Sequence, residues 1–540
     1  MFKNPKYQYG PMDRFVSANL NFGEYILNKI WEHNDKVAMI NGLTDEKVTY
    51  REIAQEAMNV AISLTRMGVR KGDVIAVCSE NRREFIGTII GICCTGAIAT
   101  TINTGYTNDE LRHVLSISKP KYLFCSPLAY KLHIKIYKSV SHLKTIIIYG
   151  DENQKNTILY NDLAIVSDDR TNKPYKIKQN VDYEQFQPVE VDGQNDTLFI
   201  LYSSGTTGLP KGVVLTHYNI LVLCSPTVTM PPLKTLTITP WYHTMGLASS
   251  LLTLVRATTV VYLPKFEVEL YFKTIEKYKI EQLTAVPPVL VALCKSNLQY
   301  DTSSVIVAHS GAAPLYEETA HEVKKKFPSL KALLQGYGMT EATLIITLNL
   351  NPEKIGSVGT AYSHTVIKVV DPETKEVLGP NKTGEICFKS IMLTKGYIGK
   401  DRKEYFDEEG FFKTGDIGYY DEEGYFYIVD RLKELIKYNA YQVPPAEIEA
   451  VLLKHPAIRD AGVVGIPHPK NGEVPIAFVV LKPDEKLTEK EVQDFVAERL
   501  SNPKHLRGGV RFINEIPKNQ TGKILRRELK NIAISNKSKL

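Results

Sequence analysis

A loop of small, hydroxyl-bearing and glycine residues with one lysine, at positions 202–212, is the part of this 540-residue chain best suited to chemistry. Its backbone N–H groups, hydroxyls and positive charge suit a polyphosphate, and its glycines let the main chain approach closely. It is not a Walker loop, because Pro210 precedes Lys211 and Gly212 follows it. We expect phosphate contacts from Ser203, Ser204, Gly205, Thr206, Thr207, Gly208 and Lys211.

Four further segments downstream combine carboxylates, cations, hydroxyls and glycines. They are Gln335-Gly336-Tyr337-Gly338-Met339-Thr340-Glu341, Thr414-Gly415-Asp416, Asp430-Arg431-Leu432-Lys433-Glu434-Leu435-Ile436-Lys437 and Asn519-Gln520-Thr521-Gly522-Lys523. Together with the loop, they resemble the signature segments of the adenylate-forming superfamily, which includes acyl-CoA synthetases, coumarate–CoA ligases and beetle luciferases. Five segments in the family's order and at family-like separations exclude a chance match.

The resemblance implies how ATP and its metal are held. The loop closes on the β and γ phosphates, and Tyr337 packs against adenine beside Gln335 and Gly336. Thr340 contacts the α-phosphate. Glu341 holds Mg²⁺, a hard cation that takes oxygen ligands.

The ribose is expected at the third segment. By resemblance, Asp416 accepts hydrogen bonds from the ribose hydroxyls and Arg431 supports the same region. The residue types alone also allow a second interpretation, in which Asp416 caps a structural turn.

Lys523 is the expected catalytic residue of adenylation, because in the family its ammonium bridges the substrate carboxylate and the α-phosphate as charge develops. Without the motif it could be a solvated lysine in a stretch that also holds Lys518, Arg526 and Arg527. His243 matches the family's acyl-pocket histidine, which gates the path between acid and CoA. It could instead be an ordinary, partly buried histidine beside aromatic residues.

A second half-reaction with CoA is implied by the family's mobile small domain, which rotates about a hinge residue, here Lys433. On the face presented by this rotation, Lys437 and Gln442 match the family's positions. The chain departs from the family between them, since Asn439-Ala440 stands where Lys-Gly is usual. The added Cβ would narrow the passage for pantetheine, and the missing lysine removes a CoA contact. Adenylation is therefore better supported than thioester formation.

The acid pocket is expected around Ser310, Gly311 and Ala312. Leu344 stands where beetle luciferases carry a serine, and Leu223 where they carry an arginine. Such an apolar lining favours an acyl chain or a plain aromatic acid without deciding between them. The predicted activity is ATP-dependent conversion of a fatty or aromatic acid to an acyl-adenylate and then to an acyl-CoA thioester, with Mg²⁺. A luciferase-type monooxygenase, which oxidises its adenylated acid with O₂, is the alternative.

Composition agrees with an enzyme that handles small molecules. Apolar residues make up 43% of the chain and charged residues 23%, as in ordinary globular proteins. The net charge of +6 is small and no basic run alternates with aromatic residues, so a nucleic-acid partner is not expected. Seven scattered cysteines without a Cys-x-x-Cys pair favour neither disulfides nor zinc.

Two segments bear on location. The uncharged run at 85–108 is the only candidate membrane span, and its glycines and threonines favour a buried helix followed by a strand, so no transmembrane segment is expected. Ser538-Lys539-Leu540 matches the peroxisomal address that an import receptor reads. We therefore expect a peroxisomal location with that receptor as a partner.

The elements that must position these residues follow from alternating strand and helix patterns. Strands are predicted at 74–78, 97–102, 122–125 and 145–149, and helices at 85–93, 108–118 and 445–453. A second α/β unit follows the loop, then short strands between 356 and 429, then an α+β unit. The predicted fold class is α/β: an N-terminal domain at 1–432, with two α/β subdomains and a small β-barrel or sheet, and a mobile α+β lid at 433–540.

Overall fold

The computed structural model describes residues 4–12, 16–166, 173–203, 209–225, 232–313, 315, 317–439, 441–519 and 522–535. Two large sheets lie in layers with helices between them and on their outer sides. A smaller antiparallel sheet and a C-terminal α+β unit follow along the chain. The predicted α/β fold class is confirmed.

The first large sheet has eight strands in the described part of the chain, and only the two at one edge run antiparallel to their neighbours. In spatial order its strands are Gly396–Tyr397, Lys211–Thr216, Thr197–Ser203, Ile98–Ile102, Val74–Cys78, Tyr122–Cys125, Thr145–Ile148 and Ile158–Leu159. The strands predicted at 74–78 and 122–125 have those limits.

The second large sheet has nine strands among the described residues and includes two from the N-terminal region that the sequence patterns did not reveal. In spatial order its strands are Thr360–Ala361, Thr347–Leu348, Ala332–Tyr337, Val307–Ser310, Gln282–Thr284, Thr235–Thr237, Val260–Tyr262, Val37–Asn41 and Lys47–Thr49. Val37–Asn41 joins this sheet because it pairs in parallel with Val260–Tyr262, far along the chain.

Helices cover both sheets. Those packed between the sheets are Phe22–Trp31, Tyr50–Arg66, Arg83–Cys94, His217–Cys224 and Thr244–Val255. Those on the outer faces include Asn108–Ser118, Pro127–Ser139, Val268–Tyr278, Pro287–Cys294 and Glu317–Lys326, and Asn161–Ala164 forms a short further helix. The helix predicted at 108–118 begins where expected, because the Thr107 hydroxyl accepts from the N–H of Glu110 in a capping box.

The core between the sheets fixes the neighbourhood of His243. Trp241 is fully buried there, with its ring 5.8 Å from that of Phe85 and 4.9 Å from that of Tyr262. Asn81 accepts a 2.7 Å hydrogen bond from the Trp241 backbone N–H. Because ring contacts and a backbone hydrogen bond hold Trp241, they also fix the position of the backbone just before His243.

The β-rich segment forms a five-stranded antiparallel sheet, which meets the expectation of a small barrel or sheet. Its strands in spatial order are Gln8–Tyr9, Thr365–Val370, Gly384–Ser390, Phe412–Tyr420 and Phe426–Arg431. The last two strands carry Asp416 and Arg431, which are directly paired. This register places the predicted ribose residues side by side.

The C-terminal unit, called the lid below, has its own apolar core. Its strands are Ile436–Tyr438, Tyr441–Val443, Ile458–His468, Gly472–Leu481 and Val510–Phe512, and its helices are Pro445–Leu453, Glu489–Ala497 and Arg526–Ser535. Short 3₁₀ turns elsewhere in the chain and in the lid are Tyr183–Gln185, Thr340–Ala342, Arg402–Glu404 and Asn502–Lys504. The helix predicted at 445–453 is confirmed with those limits.

The run at 85–108 forms a buried helix and a strand, as its composition predicts. None of the helices in the described ranges is long and apolar enough to cross a membrane. All seven cysteines are unpaired thiols.

Candidate active site

The site begins at the carboxyl ends of the parallel strands in the second sheet, the usual ligand-binding edge of an α/β sheet. Ser310 ends one strand and is paired with Gln335 of the next. The glycines that follow bring the two backbones together, since a Cβ on Gly311 would lie 3.2 Å from the carbonyl oxygen of Gly336. The predicted pocket wall and adenine segment are therefore neighbours.

A tight turn then carries the chain back across the site. A Cβ on Gly338 would lie 1.8 Å from the carbonyl oxygen of Leu344, so only glycine fits there. Thr340–Ala342 forms one 3₁₀ turn with Glu341 buried inside it. Thr343 follows with φ of +67°, an unusual value for a β-branched residue, and its hydroxyl donates to the carbonyl oxygen of Met392 at 2.6 Å. Strain of this kind occurs most often at functional sites.

Asp416 is the centre of the first charged group. Its Oδ2 accepts a 2.6 Å hydrogen bond from the hydroxyl of Tyr337, and its Oδ1 lies 3.0 Å from Nε of Arg431. Burial and the Asp416 charge raise the pKa of Tyr337, so the phenol stays protonated and keeps donating. The adenine, ribose and hinge segments thus meet at one carboxylate.

Glu341 is held by a residue that the sequence did not single out. Its Oε1 accepts a 2.7 Å hydrogen bond from the hydroxyl of Tyr397, which lies on the edge strand of the first sheet. Burial and Glu341 raise the pKa of Tyr397. Only the folded chain brings these two residues together, and no local signal in the sequence could have predicted the bond.

Lys211 lies at the end of the predicted phosphate loop, directly paired with Ser203 across a hairpin. Its ammonium lies 4.9 Å from the ring centroid of Tyr397 and 4.7 Å from that of Tyr405. Burial lowers the pKa of Lys211, and the charge of Glu341 opposes that shift. The lysine end of the loop therefore lies near the expected metal ligand. Its remaining predicted residues, Ser204 to Gly208, lie outside the described residues.

Lys523 lies in a turn closed by reciprocal bonds. Its backbone N–H donates to the side-chain oxygen of Asn519, and the Asn519 N–H donates to the Lys523 carbonyl, both at 2.9 Å. Gly522 has φ of +82°, and a Cβ there would lie 2.4 Å from Cγ of Pro288 in the N-terminal domain. Gly522 is therefore in close contact with the N-terminal domain.

The ammonium of Lys523 lies within electrostatic range of the predicted nucleotide residues. Burial and the charge of Arg431 lower the pKa of Lys523, while Asp416 and Glu341 oppose that shift. The structure therefore brings Lys523 to the predicted ribose and magnesium residues, although they are far apart in sequence. Its catalytic role remains a prediction.

His243 immediately precedes the helix Thr244–Val255 and lies near the same ammonium. Burial lowers the pKa of His243 to about 4, and the charge of Lys523 adds to that shift, so the imidazole is neutral near pH 7. The hydroxyls of Thr244 and Thr340 are 3.0 Å apart, which ties the start of this helix to the expected α-phosphate residue. The gating role of His243 remains a prediction.

Lys437 and Gln442 are not part of this group. Both are exposed and paired with each other on a hairpin of the lid, and Gln442 contacts Glu373 of the antiparallel sheet at 3.4 Å. Asn439, at the hairpin turn, has φ of +45°, a left-handed conformation that asparagine tolerates. Ala440 lies outside the described residues. The predicted CoA positions therefore remain predictions for another lid orientation.

The predicted pocket is apolar beyond Ser310. Leu344 packs in a small cluster with buried Leu223, Ala248 and Met392. The Ser310 hydroxyl is buried and has no hydrogen-bond partner among the described residues, so it is available to a ligand. Gly311 is partly buried and Ala312 exposed at the rim.

Comparison with known proteins agrees with this geometry. The AMP-binding enzyme family model matches residues 28–398, and the model of the AMP-binding enzyme C-terminal domain matches residues 447–523. The chain therefore belongs to the AMP-binding, adenylate-forming enzymes. The predicted domain boundary at 432/433 falls between the two matched ranges.

Its relatives carry two different activities in their names. A luciferin 4-monooxygenase of Nipponoluciola cruciata is 41% identical, over 92% of this chain and 91% of its own. A probable 4-coumarate–CoA ligase 1 of Dictyostelium discoideum is 38% identical, over 94% of both chains. The ATP-bound crystal structure of MatB from Rhodopseudomonas palustris is 28% identical and superposes with a TM-score of 0.83, covering 95% of this chain and 99% of that one.

The residues present fit ATP and a magnesium ion. The described residues hold no cluster of three or more His, Cys, Asp or Glu side chains that would form a complete metal cage. Mg²⁺ does not require one, since it usually keeps several waters and binds one or two carboxylates together with substrate phosphates. Glu341 could supply one such carboxylate, and the nearby Lys211 could pair with phosphate charge.

Proposed function

We propose that this protein is an AMP-forming acid–CoA ligase that activates a fatty or aromatic carboxylic acid. The observation that carries the proposal is that Lys523 of the lid lies within electrostatic range of Asp416, Arg431 and Glu341 of the N-terminal domain. Arg431 and Asp416 are themselves paired at 3.0 Å. A nucleotide-binding protein without activity would have no need to hold a partly buried lysine near these groups, because removing an ammonium from water costs free energy.

In adenylation, a carboxylate oxygen of the acid forms a bond to the α-phosphorus as the bond to pyrophosphate breaks. Such chemistry depends on positioning and on charge. Asp416 would receive the ribose hydroxyls, and Glu341 would hold Mg²⁺, which neutralises phosphate charge. Lys523 would draw the two reacting groups together. Thr340, whose hydroxyl is bonded to that of Thr244, would contact the α-phosphate.

Thioester formation then requires a different lid orientation. The CoA sulfur attacks the acyl carbon, and AMP leaves as the bond from acyl carbon to phosphate oxygen breaks. Rotation about Lys433 would move Lys523 away and bring Lys437 and Gln442 to the site, since both lie exposed on the lid. The neutral imidazole of His243 suits a gate between acid and CoA, because it adds no charge to the acyl pocket.

The apolar cluster around Leu344 supports an acyl chain or a plain aromatic acid as substrate. A second candidate, a luciferase-type monooxygenase, is favoured by the 41% identity to a luciferin 4-monooxygenase. A luciferase-type enzyme would have to orient a polar heterocycle in this pocket. Leu344 and Leu223 offer no hydrogen bond to such a substrate. We therefore place the ligase first.

One assay separates the two candidates. Purified protein is given ATP, Mg²⁺ and a panel of acids, and AMP release is measured with and without CoA, together with light emission. A ligase releases AMP quickly only when CoA is present. Slow AMP release that ignores CoA, accompanied by light and O₂ consumption, would contradict the ligase proposal.

We also propose a peroxisomal location, with the import receptor as partner. This rests on Ser538-Lys539-Leu540, which lies outside the described residues. A fluorescent protein fused ahead of this sequence should enter peroxisomes, and deletion of Leu540 should leave it in the cytosol. Peroxisomal signal that survives the deletion would contradict the proposal.

A further inference from the structure

Asp430 makes a contact between the two domains that the chemistry above does not use. It lies near the end of strand Phe426–Arg431 in the antiparallel sheet and is buried. Its Oδ2 accepts a 2.9 Å hydrogen bond from the backbone N–H of Ala446, in the first turn of the lid helix Pro445–Leu453. A carboxylate of the N-terminal domain therefore binds the N-terminus of a helix in the lid.

The lid helix cannot cap itself. Its N-cap residue is Pro444, whose side chain offers no acceptor, and Pro445 at the next position has no N–H. The first N–H that needs a partner is that of Ala446, and Asp430 supplies that partner. A negative charge there is also favoured by the positive end of the helix dipole.

Arg526 connects this contact to the catalytic turn. It begins the helix that follows Lys523, and its guanidinium binds Glu434 at 2.7 Å and Glu449 at 3.1 Å. Burial raises the pKa of Asp430 to about 6, and the charge of Arg526 opposes that rise. Arg526 thus lowers the cost of burying Asp430 as a carboxylate while holding the start of the helix next to Lys523.

We propose that Asp430 is a positioning residue for adenylation: by capping the lid helix, it holds the lid in the orientation that inserts Lys523. The proposal rests on the two-step function proposed above. Lys433 lies between Asp430 and the lid helix, so rotation about it would separate Asp430 from Ala446 before the thioester step. The contact therefore favours the first half-reaction and opposes departure from it.

The test compares Asp430→Ala with Asp430→Asn, whose amide oxygen can still accept the N–H. Single-turnover pyrophosphate release from ATP and acid reports adenylation, and AMP release from added acyl-adenylate and CoA reports thioester formation. We expect Asp430→Ala to slow adenylation about three- to thirtyfold, the range of a lost helix cap, with little change in KM for ATP. Thioester formation should be unchanged or faster, and Asp430→Asn should stay closer to the wild type.

Asp421→Ala is the matched control, because this carboxylate of the same sheet binds Lys354 and its own turn. Hydrogen exchange of the segment 445–453 gives a readout that does not need activity. Asp430→Ala should speed exchange in the first turn of that helix, and Asp421→Ala should not. Equal losses in both half-reactions, full adenylation activity in Asp430→Ala, or unchanged exchange would each overturn the proposal. If the wild type adenylates no acid, the proposed function fails, while the exchange experiment still tests Asp430.

Discussion

At the scale of single residues, the site is built from side chains that hold one another in place. Tyr337 and Arg431 both bind Asp416, and Tyr397 binds Glu341. Carboxylates fixed in this way need little reorganisation when charge develops, and such preorganisation is often the largest contribution to catalysis. Lys523 differs from them, because it lies on the lid and not in the N-terminal domain.

Replacement of Lys523 by alanine tests its role directly. Lys523→Ala should lower the rate of pyrophosphate release roughly a hundredfold or more, the scale of one lost transition-state contact, and leave ATP binding largely intact. Single-turnover kinetics and nucleotide titration measure the two effects. Lys518→Ala is the control, since this nearby lysine binds Asp460 within the lid at 2.7 Å. Near-normal pyrophosphate release in Lys523→Ala would remove Lys523 from the mechanism.

We expect Leu344 to limit how polar a substrate the pocket accepts. It packs with Leu223 and Met392 and offers no hydrogen bond, so we expect activation of apolar acids and little or no light from beetle luciferin. Leu344→Ser should increase any weak luminescence without a large change in KM for ATP, because the residue lies beyond the nucleotide segment. Bright emission from the wild type would reverse the order of the two candidate functions.

At the scale of elements, local patterns predict much of the fold because they reflect local causes. The helix at 108–118 and the strand at 122–125 have the predicted limits, since a capping box and a run of apolar β-formers are local signals. The N-terminal strand Val37–Asn41 could not be assigned to the second sheet, because its partner Val260–Tyr262 is remote in sequence. The hydrogen bonds of Tyr397 to Glu341 and of Asp430 to Ala446 could not be predicted either, because each joins two separate elements of the fold.

The lid hairpin carries the departure from the family pattern, and Ala440→Gly tests whether it matters. If the Cβ of Ala440 narrows the pantetheine passage, the variant should raise the CoA-dependent rate and lower the apparent KM for CoA, because glycine removes a methyl group and restores backbone freedom. The adenylation rate should not change. Lys437, on the same hairpin, is exposed and does not belong to the group of residues around Lys523. Fast thioester formation in the wild type with no gain in Ala440→Gly would show that the departure is harmless.

At the scale of the whole molecule, the structure holds the lid in the orientation that we propose for adenylation. Several separate contacts join lid and N-terminal domain: Gly522 against Pro288, Asp430 with Ala446, Gln442 with Glu373, and Lys454 with Glu318 at 3.4 Å. The last two involve exposed side chains and contribute little, because solvent screens such pairs. The proposed two-step function requires the lid to leave this position between half-reactions, and modest contacts are compatible with such gating.

A reversible lock on this orientation separates the two half-reactions in one molecule. Gln442 and Glu373 are exposed and their side chains touch at 3.4 Å, so the double variant Glu373→Cys/Gln442→Cys can be bridged by a short bifunctional thiol reagent that reductant cleaves. Six of the seven native cysteines are buried, and Cys294 is partly buried, so reagent-treated single variants serve as controls. The bridged protein should still release pyrophosphate in a single turnover, because Lys523 stays in place. CoA-dependent AMP release should fall at least about tenfold and return after reduction, because Lys437 cannot reach the site without rotation about Lys433.

Full thioester formation in the bridged protein would mean that both steps use this lid orientation, and the two-step account would then be wrong.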